Sequence, residues 1–287
     1  MTALAPAALV FALVFAGLFG LVIGSFLNVV VYRVPAGIPL TRASRCPSCD
    51  EPVRPWQNVP VVSWLALKGR CASCGSPISA RYPLVEAATG VAFVAVTWLL
   101  LASASQTGSW LAPNAPFSGA TLVVVLIAFL YLAAISIALM LIDLDTHRLP
   151  NAIVLPSYVV AGVLLTLACL LEGDNAAFIR SVVGGIALYA FYFVLRLIRP
   201  AGMGGGDVTL AGVLGLYLGY VGWGALIVGA FAAFVLGGVF GLILVVARRA
   251  GRRSAIPFGP WMIGGAWVGI AAGEPIASWY LGLVGLA

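Results

Sequence analysis

Long apolar segments separated by short polar ones run along the whole chain. A transmembrane helix needs about 20 consecutive, mostly apolar residues, and eight segments reach or approach that length. They cover residues 6–31, 84–104, 119–141, 153–171, 178–198, 208–222, 224–247 and 259–284. The pattern predicts an all-α polytopic membrane protein with about eight transmembrane helices.

The composition agrees with this prediction. Of the 287 residues, 62% are hydrophobic and only 8% are charged, which is far fewer charges than a soluble domain carries. No Lys or Arg precedes Arg33. The first apolar segment therefore lacks the positively charged start of a signal peptide, and we expect it to be retained as a helix.

Basic residues are concentrated in alternate loops between the predicted helices. The loop at 32–83 holds seven of them, and the others contain Arg148, the pair Arg196 and Arg199, and four arginines at 248–253. Because cytoplasmic loops are rich in Lys and Arg, these loops are predicted to be cytoplasmic and both termini to lie outside. This topology accounts for the net charge of +6, so we expect no nucleic-acid partner.

Four of the five cysteines form two C-x2-C pairs in the first basic loop, with 21 residues between the pairs. Two such pairs can complete a closed tetrahedral zinc site, which leaves no position for a catalytic water. Two disulfides are the alternative in an oxidising compartment, but the basic residues favour the cytosol. We interpret Cys169 as a buried apolar residue and assign a structural zinc ion to Cys46, Cys49, Cys71 and Cys74.

Four acidic residues fall at the predicted cytoplasmic edge of the membrane. Glu86 begins the second span, where a carboxylate commonly meets the positive end of a helix dipole. Asp143 and Asp145 end the third span, and Asp207 follows a glycine run. Ionisable groups at this depth tend to face a bundle interior or a water-filled cavity. If two aspartates meet there, one is protonated and the other charged, the state that activates water and protonates a leaving amine.

The glycine run before Asp207, GMGGGD, permits two interpretations. Gly204 and Gly206 allow positive φ angles and close approach of a substrate backbone, and irregular backbone is tolerated at membrane depth where it lines a cavity. Alternatively, the run is a simple turn and Asp207 caps the next helix. The residues alone leave both interpretations open.

Other catalytic motifs are missing from the sequence. His147 is the single histidine, so there is no H-E-x-x-H zinc site, and no G-x-S-x-G elbow is present. The glycine run also lacks the Lys-Ser or Lys-Thr of a phosphate-binding loop. We interpret His147 as a residue of a cytoplasmic loop.

Taken together, four segments resemble the type IV prepilin leader peptidases, which are membrane aspartic proteases with a G-x-G-D motif. The segments are GSFLNVVVYRVP at 24–35, the cysteine loop ending in ISARYPLVE at 78–86, DLDTHRLPN at 143–151 and GMGGGDVTL at 202–210, with IPFGP at 256–260 in support. They follow the family's order over most of the chain. The resemblance favours the catalytic interpretation of Asp207.

The resemblance implies that Asp143 and Asp207 are the catalytic pair, that Asp145 is a neighbour, and that Gly204 and Gly206 belong to the active-site loop. It implies cleavage of the short basic leader of prepilins and pseudopilins at the cytoplasmic face of the bacterial inner membrane. It also implies methylation of the new N-terminus with S-adenosylmethionine. Charge complementarity makes acidic groups, namely Glu86, Asp50 and Glu51, candidates for binding the basic leader.

One position departs from the family pattern. Thr209 stands where the family usually has a lysine, two residues after the second aspartate, and we expect this to change the pH dependence of cleavage. A transporter whose paired aspartates relay protons or bind cations is the main alternative function, and a zinc-ribbon membrane scaffold without enzymatic activity is another.

We expect a division of the chain at residue 104. Residues 1–104 would form an N-terminal membrane region that carries the cysteine loop at about 32–83. Residues 105–287 would form the membrane aspartic peptidase domain.

Overall fold

The computed structural model describes residues 6–104, 118–200, 203–247 and 257–285. Within these residues most of the chain is helical. In chain order the helices are α1 (Pro6–Arg33), a 3-10 helix (Pro55–Asn58), α2 (Val62–Ala66), α3 (Arg81–Ala104), α4 (Gly119–Thr146), α5 (Asn151–Glu172), α6 (Asn175–Ile198), α7 (Gly205–Val221), α8 (Trp223–Val246) and α9 (Gly259–Leu283).

Each of the eight predicted spans coincides with one long helix. The largest difference is at the end of α4, which continues to Thr146 rather than stopping at residue 141. Six helices, α1, α3, α4, α5, α6 and α8, are long and apolar enough to cross a membrane. The prediction of an all-α polytopic membrane protein is therefore confirmed.

The described residues form two compact units. The first contains the residues up to Leu101 together with Phe129–Ala138, and the second contains the other described residues. The functional division expected at residue 104 stays a prediction. Residues 105–117 of the predicted outer loop, Gly202, and the arginines at 248–253 lie outside the described part of the chain.

Helix α7 lies at the centre of the second unit. It has 17 residues, of which the majority are buried, including Tyr217 and Leu218. A helix that is apolar on every side is typical of a bundle interior. Asp207, one of the two predicted catalytic residues, lies in the first turn of this buried helix.

Glycines allow α6 and α7 to pack with their backbones in contact. A Cβ atom added at Gly184 would lie 2.6 Å from the carbonyl oxygen of Gly215, and one added at Gly215 would lie even closer to the carbonyl of Gly184. The hydroxyl of Ser181 also donates a hydrogen bond to the Leu216 carbonyl, at 2.9 Å. Small residues and such interhelical hydrogen bonds are what hold membrane helices together.

Glu274 connects α9 to the start of α8. Its carboxylate accepts hydrogen bonds from the backbone N–H groups of Gly224, at 2.8 Å, and Ala225, at 3.3 Å. The first N–H groups of a helix have no partner within the helix and carry its positive dipole end. Glu274 therefore caps α8 from a neighbouring helix.

We expect Gly215→Ala to lower the free energy of unfolding by roughly 1–3 kcal/mol, the usual cost of overpacking a tight contact. The added methyl group would force α6 away from α7. Gly238→Ala in α8 is the control, because no atom lies within 4 Å of its Cβ position. Unfolding of the two detergent-solubilised variants measures the effect, and equal stability of both would contradict the proposed backbone contact.

Candidate active site and metal centre

Asp143 points into the second unit near the end of α4. The residue is only 4% exposed. Its Oδ2 atom accepts a hydrogen bond from the backbone N–H of Gly259, at 3.0 Å. Asp145, two residues further along the helix, is exposed. The structure thus separates the two neighbouring aspartates, and Asp143 is the one that faces the interior.

The end of α4 is defined by backbone conformation. His147 adopts a left-handed conformation, with φ 52°, and its N–H donates to the Asp143 carbonyl at 2.8 Å. Pro150 follows and precedes the first residue of α5. His147 is exposed, in agreement with its interpretation as a loop residue, and the turn carries Leu149 back toward the bundle.

Asp207 is the third residue of α7 and is half-buried. Its Oδ2 accepts a hydrogen bond from the backbone N–H of Gly204, at 2.9 Å, so the carboxylate caps its own helix. The structure thus shows a local capping interaction, although the N-cap residue is Gly204 and not Asp207. It does not exclude a catalytic role, because this hydrogen bond involves only one of the two carboxylate oxygens.

The glycines before Asp207 allow neighbouring segments to pack closely and do not adopt unusual backbone angles. Gly204 has φ −70°, and no positive φ is found at Gly205 or Gly206, so these residues do not use the positive angles that glycine allows. A Cβ atom added at Gly206 would lie 2.7 Å from Cβ of Leu149 and 3.1 Å from its carbonyl oxygen. The chain therefore needs glycine at 206 because α7 begins directly against the α4–α5 turn.

Leu149 also contacts the start of α9. A Cβ atom added at Gly259 would lie 2.7 Å from Oδ2 of Asp143 and 3.3 Å from Cδ2 of Leu149. Leu149 thus packs against the two backbone segments that carry Gly206 and Gly259. As a result, both aspartates lie at the same end of the second unit.

Helix α5 supports the first turns of α7 through Tyr158. The phenol hydroxyl donates a hydrogen bond to the carbonyl of Thr209, at 2.6 Å, and lies where a side chain at Gly212 would be. The hydroxyl of Thr209 donates to the Gly206 carbonyl, at 2.9 Å. Thr209, which replaces the lysine usual in the family, therefore satisfies its hydroxyl within α7.

The four predicted zinc ligands converge in the first unit. All four Sγ atoms lie within 4.8 Å of one another, and those of Cys46 and Cys74 are 3.8 Å apart. Zn–S bonds of about 2.3 Å in a tetrahedron place two sulfurs about 3.8 Å apart. The cluster is compatible with zinc, and all five cysteines, including the buried Cys169, are free thiols in the structure.

The two cysteine pairs are built in the same way. The N–H of Asp50 donates to the Cys46 carbonyl, and the N–H of Gly75 donates to the Cys71 carbonyl, both at 2.9 Å. Asp50 and Gly75 both have positive φ angles, of 55° and 71°. In the first pair, hydrogen bonds from the backbone N–H groups of Ser48 and Cys49 lower the pKa of the Cys46 thiol.

The acidic residues considered for leader binding have different surroundings. Glu86 is buried and accepts a hydrogen bond from the backbone N–H of Val61, at 2.7 Å. Asp50 is exposed and forms an ion pair with Arg45, at 3.0 Å. Glu86 therefore has little surface to offer a leader peptide, and its role in that interaction stays a hypothesis.

Comparison with known proteins identifies the family. Residues 18–100 match the bacterial peptidase A24 N-terminal domain, and residues 130–242 match the type IV leader peptidase family. The chain is 34% identical to a prepilin leader peptidase/N-methyltransferase of Aeromonas hydrophila, over 95% of this chain and 94% of that protein. No solved structure gives a significant match.

Two further relatives carry the same name. That of Neisseria gonorrhoeae is 35% identical over 94% of this chain and 95% of its own length, and that of Pseudomonas aeruginosa is 31% identical over 93% of both. The chain belongs to the type IV leader peptidase family, and it is an integral protein of the inner membrane. The resemblance stated from the motifs is confirmed, and the transporter alternative has no support.

Sequence reasoning did not assign roles to three residues at this site. Gly259 lies in the IPFGP segment, which matched the family pattern without indicating a hydrogen bond to Asp143. Leu149 lies in DLDTHRLPN, where only the acidic residues indicated a chemical role. Tyr158 had no signal, because a tyrosine in an apolar helix usually reports only packing.

We expect Tyr158→Phe to lower the free energy of unfolding by about 0.5–1.5 kcal/mol, the usual contribution of one hydrogen bond. The ring would remain, but the Thr209 carbonyl would lose its donor. Tyr189→Phe is the matched control, since this exposed tyrosine stacks on Phe193. A larger loss of stability in Tyr189→Phe than in Tyr158→Phe would contradict this assignment.

Proposed function

We propose that this protein cleaves the basic leader peptide of prepilins and pseudopilins at the cytoplasmic face of the inner membrane and then methylates the new N-terminus. The observation that carries the proposal is the position of Asp143 and Asp207. They come from different helices, lie at the same end of one unit, and each has one carboxylate oxygen bound by a backbone N–H.

The pair supplies both proton transfers of peptide hydrolysis. Two nearby carboxyl groups share their protons, so one is charged and the other is protonated. The charged group takes a proton from water, whose oxygen attacks the scissile carbonyl carbon. The protonated group gives its proton to the leaving amine nitrogen as the C–N bond breaks. The N–H groups of Gly259 and Gly204 fix the orientation of the two carboxylates for these steps.

The distribution of charge favours a cytoplasmic active site. The turn that follows Asp143 contains Arg148, and Arg196 ends α6 shortly before Asp207. Cytoplasmic loops carry such residues. A substrate with a basic cytosolic leader and an apolar helix would present its scissile bond at this edge of the membrane.

We also propose that Cys46, Cys49, Cys71 and Cys74 hold a structural zinc ion, and that S-adenosylmethionine is the methyl donor. Four thiolate ligands fill the coordination sphere of zinc and leave no position for a reacting water. The loop between α1 and α3 is only about 50 residues long, and a metal commonly stabilises such small folds. The methyl donor is inferred from the N-methyltransferase activity in the names of the relatives.

We expect Asp143→Asn and Asp207→Asn each to slow leader cleavage by about 10²–10⁴-fold, the usual contribution of a general acid or base. Asp145→Asn is the matched control, because Asp145 is exposed on the same helix and its loss should leave cleavage unchanged. Intact mass spectrometry of a prepilin incubated with detergent-purified protein measures the rate.

Two outcomes would refute this assignment. Cleavage at the normal rate by either Asn variant would remove that aspartate from the catalytic pair. Loss of cleavage in Asp145→Asn with normal cleavage in Asp143→Asn would exchange the roles of the two neighbours.

We expect the purified protein to contain one zinc ion per chain, measured by elemental mass spectrometry. Cys71→Ser should lose most of the zinc and lower the folded yield, because three thiolates bind the ion less tightly. Cys169→Ala should keep it, since Cys169 is not in the cluster. Full zinc content in Cys71→Ser would rule out the four-cysteine site.

A further inference from the structure

A cavity of about 340 Å³ lies in the first unit, between the end of α1, the cysteine loop and the start of α3. Its volume is in the range of small-molecule binding sites. All of its lining residues belong to the first unit, and neither Asp143 nor Asp207 is among them. The proposed peptidase chemistry therefore gives this cavity no role.

One wall of the cavity carries a buried carboxylate. Glu86 is 7% exposed, and the hydrogen bond from the Val61 N–H is made by its Oε2. No ion pair of this carboxylate with a Lys, Arg or His side chain is found among the described residues. Buried charges are normally paired with an opposite charge, so Glu86 lacks the cation that its burial calls for.

The second buried charge at the cavity cannot supply that cation. The guanidinium of Arg33 donates hydrogen bonds to the carbonyls of Pro39, Leu40 and Arg42. These bonds fold the start of the cysteine loop around the end of α1. Arg33 is therefore engaged in holding this loop, and the negative charge of Glu86 is left facing the cavity.

The backbone that holds Glu86 in position is strained. Val61, whose N–H it binds, has φ 60°, which is unfavourable for a β-branched residue. On the other side, Gly24 of α1 approaches so closely that an added Cβ atom would lie 2.7 Å from Cα of Glu86. Strained backbone is retained where it serves a function, and here it holds a carboxylate at a cavity wall.

We propose that this cavity binds S-adenosylmethionine, with the Glu86 carboxylate facing the sulfonium cation. This inference rests on the methyl transfer proposed above, which requires a cationic methyl donor. Trp64 and Tyr82 also line the cavity and offer aromatic faces for the adenine ring. Asn58 and Gln57 line it as well and offer amide groups for the polar end of the ligand.

The charge of Glu86 would also favour exchange of product for substrate. When the amine of the new N-terminus attacks, the bond between sulfur and the methyl carbon breaks and sulfur keeps the electron pair. The amine gains the methyl group and loses a proton to water. The product, S-adenosylhomocysteine, has a neutral sulfur and loses its attraction to the carboxylate, so it should bind more weakly than the substrate.

Binding of radiolabelled S-adenosylmethionine and S-adenosylhomocysteine to the full-length, zinc-loaded protein tests the proposal. Glu86→Gln should weaken binding of S-adenosylmethionine at least tenfold and change binding of S-adenosylhomocysteine less than threefold. The glutamine keeps an acceptor for the Val61 N–H and removes only the charge. Glu51→Gln is the matched control, because Glu51 is exposed in the same loop and does not line the cavity; both affinities should stay unchanged.

The outcomes separate this inference from the proposed function. The unmodified protein could bind S-adenosylmethionine while Glu86→Gln weakens binding of both ligands equally, or of neither. In that case the sulfonium does not lie at Glu86, and the proposed methyl transfer is unaffected. If the unmodified protein cleaves prepilin but neither binds S-adenosylmethionine nor methylates the product, the methyltransferase half of the function fails.

A second measurement avoids the variant, should Glu86→Gln not fold. Carbodiimide labelling of carboxyl groups in the unmodified protein, located by peptide mass spectrometry, reports access to Glu86. S-adenosylmethionine should protect Glu86 and leave Glu51 unprotected. Equal labelling of Glu86 with and without the ligand would overturn the proposal.

Discussion

The hydrogen bond between Asp143 and Gly259 is the interaction on which the proposed active site depends. A carboxylate buried among apolar helices is costly unless a donor compensates for the lost water. The donor here is a backbone N–H at the start of α9, where unpaired N–H groups and the positive end of the helix dipole both favour a negative charge. Since a Cβ atom at position 259 would lie 2.7 Å from the carboxylate oxygen, this donor can approach only from a glycine.

Each aspartate accepts a hydrogen bond from the backbone N–H of a glycine, but the two glycines lie at very different separations in the sequence. Asp207 uses the N–H of Gly204, three residues before it, whereas the partner of Asp143 is 116 residues away. One carboxylate is therefore oriented by local helix geometry and the other by tertiary packing. Leu149 joins the two arrangements, because it packs against both Gly206 and Gly259. Leu149 therefore contributes to the proposed site through packing alone, without a polar group of its own.

The sequence predicted the helices well, because spans of apolar residues report directly on the membrane environment. The convergence of the four cysteines was predictable for a similar reason, since their spacing restricts the geometry of the loop. The contacts of single residues were not predictable. The cap formed by Glu274 on α8 and the support of α7 by Tyr158 depend on which helices are neighbours, and the apolar pattern carries no information about neighbours. Nor could the sequence distinguish a close helix contact from a positive φ angle in the glycine run, because both favour glycine.

The separation of Asp143 from its donor has a consequence for the making of the protein. Ribosomes synthesise the chain from its N-terminus, so α4 and α7, with both aspartates, are translated before α9. Until Gly259 arrives, Asp143 has no backbone donor from α9 and its carboxylate is not held in place. The order of synthesis thus delays the complete arrangement of the proposed site until α9 is inserted.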